Sequence, residues 1–129
     1  MPRPFLTAAW RDLVLLNWRV DPERLRPFVP VGTELDPFQG QHYVSLVGFR
    51  FLNLTVKGGA AFGHRAFPEV NLRFYVRRVV NGELLRGVVF LREMTPHRWV
   101  ERVARFFYNE PYCTVPMRCE VTPQHTRYE

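Results

Sequence analysis

Lysine is all but missing from this chain of 129 residues: Lys57 is the only one, and arginine supplies the rest of the 18 basic side chains. No lysine follows the glycines of Lys57–His64 in the pattern of a phosphate-binding loop, which excludes that chemistry. Serine is equally scarce. Ser45 stands alone inside an apolar stretch, a poor setting for an activated nucleophile. The two cysteines, Cys113 and Cys119, fall in what reads as the last strand. Six residues of extended chain span about 20 Å, well beyond the ~6 Å between the Cα atoms of a disulfide, so they bridge only if the chain turns between them. Their spacing matches no zinc motif, and reduced core thiols are expected. The four histidines, His42, His64, His97 and His125, form no close pair, so no metal is assigned, and nothing calls for a cofactor. No run approaches the ~20 apolar residues of a membrane-spanning helix, and the N-terminus lacks a secretory apolar stretch. The expectation is a soluble cytoplasmic protein with no membrane partner.

What is present suits a folded domain. At 47% hydrophobic and 15% aromatic the chain can bury a real core, and its length fits a single domain over residues 1–129. The net charge is +6, but Arg3, Arg11, Arg19, Arg24, Arg26, Arg50, Arg65 and Arg73 are scattered singly along the chain. Dispersed charge argues against nucleic acid as a partner. Arginine suits planar recognition of a carboxylate better than lysine does.

Local signals give the element order. Leu13–Val20 reads as extended. Asp21-Pro22-Glu23 reads as a helix start, and Pro27 and Pro30 hold that helix to a turn or two. Glu34–Phe38 is a short strand, Gln39–Gln41 a turn, and His42–Leu54 a central strand with apolar residues on both sides. Lys57–His64 is a loop. Asn81-Gly82 marks a hairpin joining the strand that begins near Glu69 to one over Leu84–Glu93. Thr95-Pro96 is expected to cap a helix with an apolar stripe of Trp99, Val100, Val103, Ala104 and Phe107, ended by Asn109-Glu110-Pro111. Tyr112–Val121 reads as a final strand and Thr122–Glu129 as a polar tail. The fold class is α+β with a mostly antiparallel sheet.

The most informative stretch is Glu69–Arg77, where polar and apolar residues alternate strictly. Val70, Leu72, Phe74 and Val76 would share one side. Glu69, Asn71, Arg73, Tyr75 and Arg77 would share the other, spaced about 6.6 Å apart. Such a row grips a small polar molecule if it lines a cavity, and is merely wet if it does not. Glu69 is the candidate catalytic group. Arg50, a lone charge in an apolar strand, must be paired, at a strand end or facing a polar cavity.

These residues resemble a known family. Trp18 through Gly32, with Val20-Asp21-Pro22, Leu25 and Val29-Pro30 as fixed points, resembles the opening of the YqjF-like bacterial family of unknown function. Leu35-Asp36 with Phe38 and Gly40, the strand ending Phe49-Arg50, the stretch Phe67–Val76, and Ala104-Arg105 through Pro111-Tyr112 match its later motifs in order. That family is similar in turn to acetoacetate decarboxylase. The resemblance implies a mostly antiparallel sheet forming a cone or partial barrel around a small polar cavity. In the decarboxylase a lysine forms a Schiff base with the keto acid, just after a Tyr-Gly-x-Pro sequence. Tyr108-Asn109-Glu110-Pro111 matches that sequence, but Tyr112 and Cys113 follow it, and neither can form an imine. Lys57 lies in a different loop. The relatives run to about twice this length, so the chain would match the N-terminal half of a longer family fold, and the expectation is a homodimer through exposed sheet edges, a fragment, or a shortened variant whose sheet stays open.

The reading that follows is a domain binding a small carboxylate or carbonyl compound, without decarboxylase chemistry. Arg50, Glu69, Asn71 and Arg73 would line its cavity, and Trp18 and Tyr112 would wall it. Two alternatives stay open: an enzyme using Glu69 as general acid or base on a small carbonyl or carboxylate substrate, and a structural or basic nucleic-acid-interacting module.

Overall fold

The computed structural model describes residues 6–56, 59–60, 66–108 and 111–129. Its main sheet has seven strands: β1 (Leu6–Arg19), β2 (Glu34–Leu35), β3 (Tyr43–Val56), β4 (Gly59–Ala60), β5 (Phe67–Val80), β6 (Glu83–Thr95) and β7 (Tyr112–Thr114). The order across the sheet is β1-β3-β5-β6-β7, with β2 on β5 and β4 on β3. Every pairing is antiparallel except β6–β7. The sheet does not close. Among the described residues β1 pairs only with β3, so β1 is an edge.

Several boundaries follow from local chemistry. Asp21 caps α1 (Pro22–Leu25), its carboxylate accepting from the Glu23 N–H at 3.0 Å, and a 3-10 turn over Arg26–Phe28 ends it. Asn81 and Gly82 both have positive φ, 51° and 81°, as a two-residue hairpin turn between twisted strands needs.

Three expectations need correction. Thr95 does not cap the second helix directly: it is fully buried at the end of β6, its Oγ1 accepts from the His97 N–H at 3.5 Å, and α2 (Arg98–Tyr108) starts one residue after His97, with the Val100 and Glu101 N–H groups bonding the His97 carbonyl. The last strand is not continuous. Val115 still donates to the Thr95 carbonyl at 3.0 Å, and the chain leaves β6 after it, at Pro116. The tail is not loose, because β8 (Cys119–Val121) and β9 (Thr126–Tyr128) form a separate hairpin. The chain thus breaks between Cys113 and Cys119, and both are half-buried free thiols. The loop expected at Lys57–His64 lies outside the described residues apart from Gly59–Ala60, as do the helix stop at Asn109–Glu110 and the side chains of Trp99, Val103, Ala104 and Phe107.

Two covers, on opposite sides of the sheet, position the site. Val100 of α2 packs with Phe67, Phe51 and Tyr112 on one side. Leu25 of α1 packs with Phe74 and Val76 on the other, joined by Val44, Leu35 and Val89. At the start of β5 the polar side of the strand is therefore the enclosed one, and further along the apolar side is. This replaces the simple picture of one dry and one wet face.

Candidate functional site

Strand register assembles the polar side of β5. Glu69 lies opposite Phe49, Asn71 opposite Val47 and Glu93, and Arg73 opposite Ser45 and Phe90. One strand further out, Asn17 lies opposite Ser45 and Leu15 opposite Val47. Tyr112 lies beside Glu93. Because paired residues share a side of the sheet, this is a single polar strip.

The strip has a closed end and an open end. At the closed end Glu69, Asn71, Glu93 and Thr95 are buried, Glu69 at 1% exposure. Tyr112 Oη donates to Glu69 Oε2 at 2.8 Å, and Asn71 Nδ2 lies 3.5 Å from Glu69 Oε1. Burial first, then the charges of Glu69 and Glu93 and hydrogen bonds to both, push the Tyr112 phenol well above its ordinary range. Tyr112 is therefore a proton donor here, not a base. Phe49, Phe51, Phe67 and His97 form an aromatic ladder beside these groups, with successive centroids 4.9, 5.0 and 5.7 Å apart.

At the open end, Ser45 Oγ, itself fully buried, donates to Asn17 Oδ1 at 2.5 Å and lies 2.6 Å from Tyr75 Oη. Asn17 and Tyr75 line a groove of about 610 Å³ with Leu15, Tyr43, Phe38 and Val88. Asp36 and Arg86 form part of its wall, with Arg86 Nε 3.3 Å from Asp36 Oδ2. Arg77 Nη1 lies 3.8 Å from the other Asp36 oxygen and its Nε 2.9 Å from Glu34.

Arg73 sits between the two ends. Its guanidinium carbon is 5.8 Å from the centre of the Tyr75 ring, and its buried Nε makes no hydrogen bond among the described residues. Asn71 Oδ1 is likewise without a donor among them.

Of the residues singled out from sequence, Glu69, Asn71, Arg73 and Tyr112 come together. Arg50 and Trp18 do not. Arg50 lies opposite Pro68, and Trp18 opposite Val44 and through it Phe74, which puts both on the other side of the sheet. Arg50 is paired there with Asp12, Nε to Oδ2 at 2.7 Å. It is the paired case of the alternatives for a charge in an apolar strand. Asn17, Ser45, Tyr43 and Asp36 were not anticipated. A signal for the first two was available: each is the odd polar residue in an apolar run, and those runs are neighbours in the sheet. Among the described residues, no group of three or more His, Cys, Asp or Glu is placed to hold a metal ion, and no helix is long and apolar enough to cross a membrane.

This arrangement of sheet and helices defines a chain of acetoacetate decarboxylase-like fold. The crystal structure of acetoacetate decarboxylase from Legionella pneumophila matches 99% of this chain with a TM-score of 0.66 at 18% identity, over 49% of that chain. The chain belongs to the family DUF2071, described as an uncharacterized conserved protein, whose model matches residues 7–129. It is also similar to the uncharacterized protein YqjF of Bacillus subtilis, at 37% identity over 116 residues, which is 89% of this chain and 46% of that protein. The chain spans about half the length of the relatives it matches.

Proposed function

We propose that this chain binds a small organic carboxylate on the polar side of β5, with Arg73 as the anion-holding group. The observation that carries this reading is the buried Arg73 Nε, which has no acceptor among the described residues. A buried guanidinium donor without an acceptor is costly, and a carboxylate supplies one with charge-assisted bonds. The fold is that of a protein named for its action on a keto acid, which agrees with a carboxylate-sized ligand. Tyr112 and Cys113, which follow Pro111, cannot form an imine, so the reading is binding without decarboxylation. Titration of the protein with acetate, pyruvate and butyrate, followed by NMR shifts, tests it. Arg73→Ala should weaken binding at least tenfold and Arg73→Lys by less. Equal affinity in wild type and Arg73→Ala removes the proposal.

A second reading rests on the closed end. Glu69 is enclosed and held by Tyr112 and Asn71, the kind of setting that tunes a carboxyl for acid–base work. If the chain turns over a small carbonyl compound, Glu69→Gln should abolish the pH dependence of the rate, and an unchanged profile ends that reading.

The partner in this proposal is a second copy of the chain, docked along β1. Trp10, Leu13, Leu15, Leu16 and Trp18 are 48–54% exposed on that edge. Antiparallel pairing of β1 with its own copy is isologous, so each apolar side chain is covered reciprocally. Leu15 also lines the groove, so the same pairing would raise its outer wall.

A further inference from the structure

The open end of the strip has a fixed hydrogen-bond polarity. Ser45 carries one hydroxyl proton and gives it to Asn17 Oδ1. The bond between Ser45 and Tyr75 must then be supplied by the phenol. Protons run from Tyr75 to Ser45 to Asn17. Two consequences face the groove. Tyr75 has given its proton to Ser45, so its oxygen offers only lone pairs. Asn17 has turned its carbonyl oxygen to Ser45, which leaves its amide N–H groups as donors. The groove floor therefore sets an acceptor next to a donor, and a ligand group that donates and accepts at once complements both. A hydroxyl does this. A ketone only accepts, and leaves Tyr75 Oη facing a second acceptor.

Leu15, Phe38 and Val88 add apolar surface on the walls of the same groove. Arg73 stands beside Tyr75. Resting on the carboxylate reading above, we infer that the ligand is a short-chain hydroxycarboxylate: its carboxylate on Arg73, its hydroxyl between Tyr75 Oη and the Asn17 amide, its alkyl end against Leu15 and Val88. The oxo acid of the same skeleton is the poorer ligand. Sites built to hydrogen-bond a substrate hydroxyl reject the analogue lacking it, because buried polar groups are then left unpaired.

The test is a set of titrations of the full chain with 2-hydroxybutyrate, 3-hydroxybutyrate, 2-oxobutyrate, acetoacetate and butyrate, read by NMR shifts and calorimetry. At least one hydroxy acid should bind about tenfold or more tighter than its oxo partner and than butyrate. Tyr75→Phe removes the acceptor, and Asn17→Asp removes the N–H donors while keeping an oxygen for Ser45. In each variant the hydroxyl preference should collapse while Arg73-dependent carboxylate binding persists. If all five acids bind through Arg73 with equal affinity, or the oxo acids bind tighter, the hydroxyl assignment is overturned and the carboxylate reading stands. If none binds, both fall.

Discussion

Tyr112 donates its phenolic proton to Glu69 at 2.8 Å, although 43 residues separate the two. The bond ties β7 to the first turn of the polar strip. Removing the hydroxyl in Tyr112→Phe strips a donor from a carboxylate that is 1% exposed. The expected cost is about 1–3 kcal/mol, measured as a shift in the urea midpoint at constant slope. Glu69→Gln keeps an acceptor for Tyr112 and should cost less than Glu69→Ala.

The same phenol makes stability fall at high pH. Its folded pKa is raised by burial and by the two carboxylates, whereas an unfolded tyrosine titrates near pH 10. A raised pKa contributes stability that is whole below the unfolded value and is lost as pH climbs past it. Tyr128 is shifted the same way, by burial first and then by Cys119. Melting temperatures should hold to about pH 9 and drop through 10 to 11. The drop should be shallower in Tyr112→Phe and shallower again with Tyr128→Phe added. Identical slopes in all three would sink the argument.

Gly48 is a close-approach site. A Cβ there would sit 2.8 Å from Cδ2 of Tyr128, and that ring is pinned by its hydroxyl bond to the Asp12 carbonyl at 2.7 Å. Gly48→Ala should destabilise by about 1–3 kcal/mol through overpacking. In a Tyr128→Ala background the penalty should vanish, which a double-mutant cycle reads directly.

The Asn81-Gly82 turn gives a backbone prediction. Gly82 has φ +81° with open space around it, so an alanine meets no clash there, only the left-handed conformation. Gly82→Ala should cost about 1–2 kcal/mol, seen as a lower melting temperature with an unchanged circular dichroism spectrum.

Pairing through β1 predicts the mass of two chains in light scattering. Leu16→Lys places a charge on the exposed edge, a common device against strand pairing, and should return a single-chain mass without altering Arg73-dependent binding. A wild type that runs as one chain at every concentration tested would remove the dimer.

Much of the fold was legible because its signals are local. Asp21-Pro22 and Asn81-Gly82 carry their own backbone preferences, and the alternation from Glu69 to Arg77 names a strip without reference to any other strand. What covers that strip was not legible. The closed end exists because Val100 of α2 and Tyr112 of β7 lie over Phe67 and Glu69, and the open end lies further along β5, at Tyr75. Both facts depend on where a helix docks, which no periodicity encodes. Arg50 shows the same limit. Its isolation in an apolar strand was visible, but its side of the sheet follows from the register that sets it opposite Pro68. Tyr112–Val121 looked like one strand by composition, but β7 ends at Thr114 and the chain resumes as β8, paired with β9 instead of β6.

The bond from Tyr128 to Asp12 spans 116 positions of the sequence. A loop of that size is slow to close and gains nothing until it has closed. During synthesis β1 and β3 leave the ribosome long before the hairpin that seals their back is made. For that interval Gly48 and Arg50 sit on an unsealed surface, and the nascent sheet is at its most vulnerable to the wrong neighbours.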